Sequence, residues 1–583
     1  MVYYCFMLTH PGRAALAPPL SFLKRGENPE LAKGGVSKKI RQQITPFTYL
    51  LFLMFNFKKM KQIQQILLIP GIISILGSTG NILQAKEGGG EKSNKSGNQP
   101  NVIFFATDDL NDWVTPLGYN QAKTPNMDRL AKQGVVFTSA HSPGVFCAPS
   151  RTAILTGLNA STTGCYGEDP FQYDHPDLVT MQMAFKQGGY NTYGAGKIYH
   201  HRGGFLDLRG WDEFFARSQE VKNSGWEIGP YHMSDNPLPV PYPFSPYYTK
   251  TDRDHTSAGH LEWGPIANEK EDNMVDAIRT NWACRVLQQK HDKPFFLALG
   301  LYSPHYPNYA PQKYFDMYNR DSIQLPPYKA DDLEDLPERI RKNMTNRSKQ
   351  HKELEELGVL KDAVHGYLAS VSFADAMLGR VLDALDASPE KNNTIIVFWS
   401  DQGFHHGEKM HWGKHTLWQR TSHVPFIWAG KGIPKNTKVN TSVSLIDMYP
   451  TFIELCHLPK VNNLEGVSLG SALKKPSKSI DRNVFLPSNE KGSYAVINTN
   501  WRYIHYFDGG EELYNVKEDP NEWYNLAADE KYRPIIQNMQ KSAPKVFAPE
   551  VTPKNELKLV IEGDSFHWEK KGQKQKKTNL NDL

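Results

Sequence analysis

The chain has 583 residues, 39% hydrophobic and 11% aromatic, which gives room for a large α/β domain with a smaller one beside it. Its net charge is +5, but residues 1–59 carry nine Lys/Arg against two Glu, so the remainder sits near −2 and no basic nucleic-acid-binding domain is expected. Five cysteines (Cys5, Cys147, Cys165, Cys284, Cys456) are too few and too scattered for a disulfide framework, although one bridge such as Cys165–Cys284 stays open.

Residues 60–85 begin Met-Lys-Gln, continue as an apolar stretch over 66–76 and end at Leu83-Gln84-Ala85, the pattern of a secretory signal peptide. That places the start at Met60 and makes 1–59 a doubtful N-terminal extension. The apolar run 47–57 is about half a spanning helix, so no stable membrane insertion is expected. No cysteine follows the cleavage position, which argues against a lipid anchor. Residues 86–100 are rich in Gly, Ser, Lys and Asn and read as a flexible leader. The expected location is therefore outside the cytoplasm, periplasmic or secreted.

From residue 101 apolar runs alternate with helical patterns. Strands are expected over 102–106, 192–195, 295–301 and 395–399, the first, third and fourth buried. Helices are expected over 125–133 and 273–289, an order that argues for a mostly parallel sheet covered on both faces. Ligands of such sheets bind beyond the carboxyl ends of the strands. Asp108-Asp109, Lys197, His305 and Asp401 all lie just past those ends and are expected to converge. The segment 218–268, dense in Pro, Tyr, Trp and His, reads as an insert that either lines a binding mouth or packs on its own domain.

Cys147 precedes a helix expected over 150–158, with Pro149 in the first turn and Gly157 as the stop. A thiol at a helix N-terminus is expected to have a depressed pKa, and Arg151, one turn on, can reach back to it. The plainer alternative is a buried structural cysteine. Asp108, Asp109 and Asp401, with the amide of Gln402, are hard oxygen donors that suit Ca²⁺ better than Zn²⁺. For Asp-Asp alone, a turn or helix cap is the alternative. His405 and His406 have no ligand spacing and are assigned to the surroundings of the site.

Cys147-Ala-Pro-Ser-Arg151, running into Thr-Ala-Ile-Leu-Thr-Gly, resembles the C-x-P-x-R signature of the type I sulfatases, in which the Cys is oxidised to formylglycine. The resemblance covers about 100–530 and includes Asn101 to Asp109, Gly196-Lys197-Ile-Tyr-His200, Ser303-Pro-His305, Ser400-Asp401-Gln402-Gly403 and Trp412-Gly-Lys414. The motif order and the Gly-Lys-x-x-His spacing look most like the iduronate-2-sulfatase-like branch. The resemblance implies the alkaline-phosphatase-like sulfatase fold and one calcium ion held by Asp108, Asp109, Asp401, Gln402 and the residue formed from Cys147.

It also implies roles. A hydroxyl of the aldehyde hydrate at position 147 attacks sulfur, Arg151 holds the hydrate, and Lys197 and Lys414 neutralise the sulfate oxygens. His305 protonates the departing sugar oxygen, and His200 takes the proton that regenerates the aldehyde. Two positions depart from the pattern: Gln402, where the family more often has Asn or His, and Ser303, where the branch often has Lys. The implied substrate is a sulfated polysaccharide or oligosaccharide, algal (such as ulvan) or a glycosaminoglycan. The implied partner is a formylglycine-generating or other sulfatase-maturating enzyme.

The catalytic domain is expected over 101–476 and a C-terminal subdomain over 477–565. Short alternating segments at 494–498, 503–507 and 512–514 predict a small antiparallel sheet, followed by a helix from about Asp529. Residues 566–583 read as a disordered basic tail. Two other functions fit the motifs less well: a phosphodiesterase or phosphonate monoester hydrolase of the same superfamily, and a non-catalytic carbohydrate-binding relative, which would be expected to lose Cys147 or the Asp ligands.

Overall fold

The structure, a computed structural model, describes residues 99–200, 205–215, 261–266, 270–476, 482–562 and 565–573. The N-terminal extension, the signal-peptide pattern, all but the last two residues of the leader, most of the 218–268 insert and the boundary at 477 lie outside the described residues. The described residues all belong to one compact unit. Among the described residues no helix is long and apolar enough to cross a membrane.

The centre is an eight-stranded sheet built from β1 (Asn101–Thr107), β2 (Gly134–His141), β3 (Asn191–Gly196), β4 (Glu213–Phe215), β6 (Phe295–Gly300), β8 (Thr394–Ser400), β11 (Phe426–Gly430) and β12 (Thr437–Ser444). Their order across the sheet is β12-β2-β11-β8-β1-β6-β3-β4. Only β11 runs against its neighbours, pairing antiparallel with β2 and β8, so the expected mostly parallel sheet is what forms. β1 is buried throughout because both faces are covered. Val102, Phe104 and Ala106 pack into one core and Ile103 and Phe105 into the other, as the two-residue period of a strand requires.

Elsewhere β5 (Trp263–Ile266) pairs with β7 (Asn308–Pro311), and β9 (His405–His406) with β10 (Trp412–Gly413). The expected small sheet is four-stranded and antiparallel: β13 (Val484–Pro487), β14 (Tyr494–Ile497), β15 (Trp501–His505) and β16 (Glu511–Asn515). One face, with Ala495, Ile497 and Ile504, joins the main core. The other, with Val496 and Tyr503, is covered by Ile536 and Met539 of the helix Arg533–Gln540.

Two boundaries differ from expectation. The helix after the active-site loop starts at Cys147 and ends at Thr156, with Gly157 in the left-handed region at φ 74 as its stop. Residues 566–570, expected in a disordered tail, form part of β18 (Ser565–Lys570), which pairs with β17 (Leu557–Glu562). Phe566 and Trp568, on one face of β18, are buried in the main core, so two aromatics at alternate positions outweigh the lysine run that follows.

Candidate active site

Strands β8, β1, β6 and β3 are parallel neighbours, so their carboxyl ends lie side by side. Asp401-Gln402, Asp108-Asp109, His305 and Lys197 leave from those ends in that order, which is why residues about 300 apart in sequence meet. Gly196, at φ 70, turns the chain out of β3, and a Cβ there would collide with the Gly300 carbonyl oxygen. That glycine lets Lys197 dip to the floor of the site. Asp109 also has a left-handed backbone, φ 60, fixed by its own amide donating to Asp401 Oδ1 at 3.2 Å and by Tyr367 Oη donating to its carbonyl at 2.9 Å.

Cys147 lies at the centre. Its Sγ is 3.4 Å from Asp108 Oδ1, 3.1 Å from Lys414 Nζ, and 3.6 Å from both Lys197 Nζ and Gln402 Nε2. Lys197 is ion-paired with Asp108, and Lys414 with Asp109 at 2.6 Å. The carboxylates of Asp108, Asp109 and Asp401 are no more than 1% exposed.

The expectation that the helix N-terminus lowers the thiol's pKa is not met. Burial, then the Asp108 charge, pushes Cys147 up to about 12, against the pull of Lys197 and Lys414. Burial alone would raise Asp108 too, but Lys197, His305, Arg151 and Lys414 hold it well below the usual carboxylate range. Asp401 is pushed up by burial and by the neighbouring Asp108 and Asp109. Lys414 stays protonated despite burial because Asp109, Cys147 and Asp108 surround it.

Arg151 is 1% exposed and spends its guanidinium on fixed partners. Nε donates to Asp401 Oδ2 at 2.7 Å, Nη2 to the Thr107 carbonyl at 3.2 Å, and Nη1 to the Lys197 carbonyl. It therefore ties the ends of three strands together, and it acts on position 147 through Asp401 and Asp108.

His305 Nδ1 donates to the Tyr306 carbonyl at 2.5 Å, which leaves Nε2 facing Asp109 Oδ2 at 3.6 Å. Burial lowers its pKa to about 4, against the pull of Asp109. His200 faces Glu168, Nε2 to Oε1 3.6 Å, and burial lowers it to about 3. The charges of Lys197 and Lys414 lower it further. Glu168 escaped the sequence reading because Glu-Asp-Pro in a loop carries no motif.

The donor set can be tested against a cation. Ligand atoms of Asp108, Asp109, Cys147 and His305 all lie within 4.8 Å of one another. Asp401 borders this group through Oδ1, which also accepts from the Gln402 amide at 3.0 Å. Asp109 Oδ2 and Gln402 Oε1 are buried without a hydrogen-bond partner. Turning the Gln402 side chain over brings Oε1 to the place its Nε2 holds against Asp109 and Cys147. Three carboxylates, one with an unmatched oxygen, and the unmatched amide oxygen of Gln402 suit a hard divalent cation. His305, expected only as an acid, also falls within this donor cluster.

The loop that carries Lys414 is held from below. Lys409 Nζ reaches Asp332 at 3.0 Å, and Trp418 Nε1 donates to Glu512 of β16 at 2.8 Å. Arg502 of β15 pairs with Glu522 at 2.7 Å and donates to the Leu417 carbonyl at 2.8 Å. His405 and His406 are buried under this loop, as surroundings of the site. The small sheet thus braces one wall of the active site.

Residues 100–458 match the family model described as Sulfatase, and residues 407–547 match the model of the N-sulphoglucosamine sulphohydrolase C-terminal region. A sulfatase of Formosa agariphila is 37% identical over 78% of this chain and 88% of its own length. Human iduronate 2-sulfatase is 27% identical over 58% of this chain and 60% of its own length. The solved structure of a 2-O GAG sulfatase superposes with a TM-score of 0.57 at 22% identity, over 76% of this chain and 91% of that one, a likeness of fold. The chain belongs to the sulfatase family, the hydrolases of sulfuric esters.

Proposed function

We propose that this sulfatase removes sulfate from a sulfated polysaccharide or its oligosaccharides, algal or glycosaminoglycan, using a formylglycine made from Cys147 and a bound Ca²⁺. The observation that carries the reading is Cys147 Sγ standing 3.1 Å and 3.6 Å from two lysine ammonium groups beside three buried carboxylates. A thiol held near pKa 12 is a poor nucleophile at neutral pH, which supports conversion of this cysteine before it acts. Formylglycine at this position supplies an oxygen nucleophile in place of the thiol. Asp108, Asp109, Asp401 and Gln402 would hold Ca²⁺, which supplies positive charge and Lewis acidity to the sulfate oxygens.

The chain's own residues do the rest. Lys197 and Lys414 flank position 147 and neutralise sulfate oxygens as charge shifts onto them. Arg151 keeps Asp401 and Asp108 in place. His305, neutral beside Asp109, is poised to become protonated when a sulfate anion enters, and Nε2 then gives its proton to the departing sugar oxygen, a role contributing ~10²–10⁴-fold. His200, also neutral and braced by Glu168, takes a proton at the end of the cycle. Export of the chain and its modification by a maturation enzyme belong to the same reading.

The test is co-expression with a formylglycine-generating enzyme, the mass of the peptide containing residue 147, and sulfate release from a panel of algal and animal oligosaccharides with and without EDTA. Release that needs the cation and disappears in Cys147→Ala supports the reading. Turnover of phosphate diesters or phosphonate monoesters with no sulfate release would replace it with the superfamily's other activity.

A further inference from the structure

A cleft of about 480 Å³ opens over the site, and the helix Glu338–Glu356 forms one wall of it through Arg347 and its neighbours. Arg339, two turns earlier on that helix, is matched by Glu490 at 2.8 Å and Asp508 at 2.6 Å. Arg347 has no carboxylate within ion-pair distance among the described residues. Its Nη1 donates to the backbone carbonyl of Lys414 at 3.3 Å, a bond that spends one of five N–H donors. The side chain, on the cleft wall, is therefore tethered to the residue whose ammonium touches Cys147.

Glu490, the acid whose charge reaches Arg347, is already paired with Arg339, and the described residues of the cleft lining offer no further unpaired one. Among the described residues that line it, Asp109 alone is acidic, and Asp109 is already paired with Lys414. His411 and His415, which share the lining, are held neutral, so Lys414 and Arg347 remain as the cations. Lys414, 3.1 Å from Cys147 Sγ, is assigned to the reacting sulfate. Arg347 is left over, and a rigid fork of donors with no internal acceptor is suited to an anion brought by the ligand.

We infer that Arg347 is a specificity-determining residue that binds a second anionic group, a carboxylate or another sulfate, on the sugar whose sulfate ester sits between Lys197 and Lys414. The inference rests on the sulfatase reading above, and it narrows the substrate to doubly anionic sugars such as sulfated uronates or disulfated units. A solvated arginine with no ligand would show no preference between singly and doubly charged substrates.

The experiment compares kcat/KM of the matured protein and of Arg347→Ala on three substrates: an aryl sulfate with one charge, a sulfated uronate and a disulfated sugar. The expected result is a fall in the ratio of doubly to singly anionic turnover on the order of 10- to 100-fold, carried mainly by KM. Arg347→Lys, which keeps the charge and loses the fork, restores part of it. A fall confined to the uronate assigns a carboxylate; one confined to the disulfated sugar assigns a sulfate. Equal losses on all three substrates, or no loss, overturn the inference. Calorimetric binding of the same sugars to Cys147→Ala, with and without Arg347→Ala, reads the preference without turnover. Equal affinity for singly and doubly charged sugars there overturns the inference even if sulfate ester hydrolysis stands, whereas a charge preference with no sulfate release indicts the sulfatase reading alone.

Discussion

Arg151 Nε lies 2.7 Å from Asp401 Oδ2, with the two side chains 1% and 0% exposed, and the same guanidinium reaches the carbonyls of Thr107 and Lys197. One buried cation thus locks the ends of β8, β1 and β3 and balances a carboxylate proposed to hold the metal.

Arg151→Ala should accordingly cost more than a lost contact. It leaves Asp401 and Asp108 buried without their counter-charge, a penalty of about 3–5 kcal/mol for breaking a buried pair. Urea unfolding should show that loss in the midpoint with little change in slope, and Arg151→Lys should recover only part of it because one ammonium cannot span three partners. A loss below 1 kcal/mol would mean that the three strand ends do not depend on this residue.

Gly196→Ala should damage both stability and activity. The position needs φ 70, and the added Cβ meets the Gly300 carbonyl oxygen, a backbone atom that cannot swing away. The strain of the left-handed conformation alone is about 1 kcal/mol, and relief of the clash must move Lys197 away from Asp108. Sulfate release at saturating substrate is the measurement. Wild-type kcat in this variant would refute the argument that the glycine places Lys197.

Stability should fall as pH drops below about 6.5. His141, His405, His406 and His411 are buried, and burial lowers the pKa of each, to about 3 for His411. A depressed folded pKa means that the unfolded chain binds protons that the folded one refuses. The stability is therefore complete above the unfolded value of about 6.5 and drains away toward the folded one, at about 1.4 kcal/mol per pH unit for each histidine. Glu512 and Glu522, raised by burial, act in the opposite sense nearer the carboxylate range. His406→Gln should flatten the plot of unfolding midpoint against pH between 6.5 and 5 by about one proton, and an unchanged slope would count against the assignment.

Calcium should stabilise the fold. With Asp108, Asp109 and Asp401 crowded together, a bound cation contributes RT ln(1 + [L]/Kd), about 2.7 kcal/mol at a hundredfold excess over Kd. Thermal unfolding should move upward with added Ca²⁺ and back with EDTA, and Gln402→Leu should shrink the shift by removing an oxygen donor. Identical curves with and without the ion would exclude a site here.

The apolar runs at β1, β6 and β8 declared themselves in the sequence because strands buried on both faces are almost purely hydrophobic. The carboxylates and lysine just beyond them, and the Cys-x-Pro-x-Arg motif, marked the chemistry. Strands β2 and β12 went unseen because polar residues interrupt them, Thr138-Ser139 in β2 and Asn440 to Ser442 in β12, while β11 is apolar but only five residues long. The parallel sheet, the convergence of polar residues beyond its strand ends and the small antiparallel sheet were legible in the chain. Their electrostatics came from packing. The helix N-terminus predicts a low thiol pKa, but full burial beside Asp108 costs the thiolate more than the helix returns. It also turned Arg151 toward Asp401, brought Glu168 to His200, and set Arg347 against Lys414 from a helix 67 residues away. Those relations depend on which surfaces meet and how much water they exclude, and neither quantity is written in local sequence.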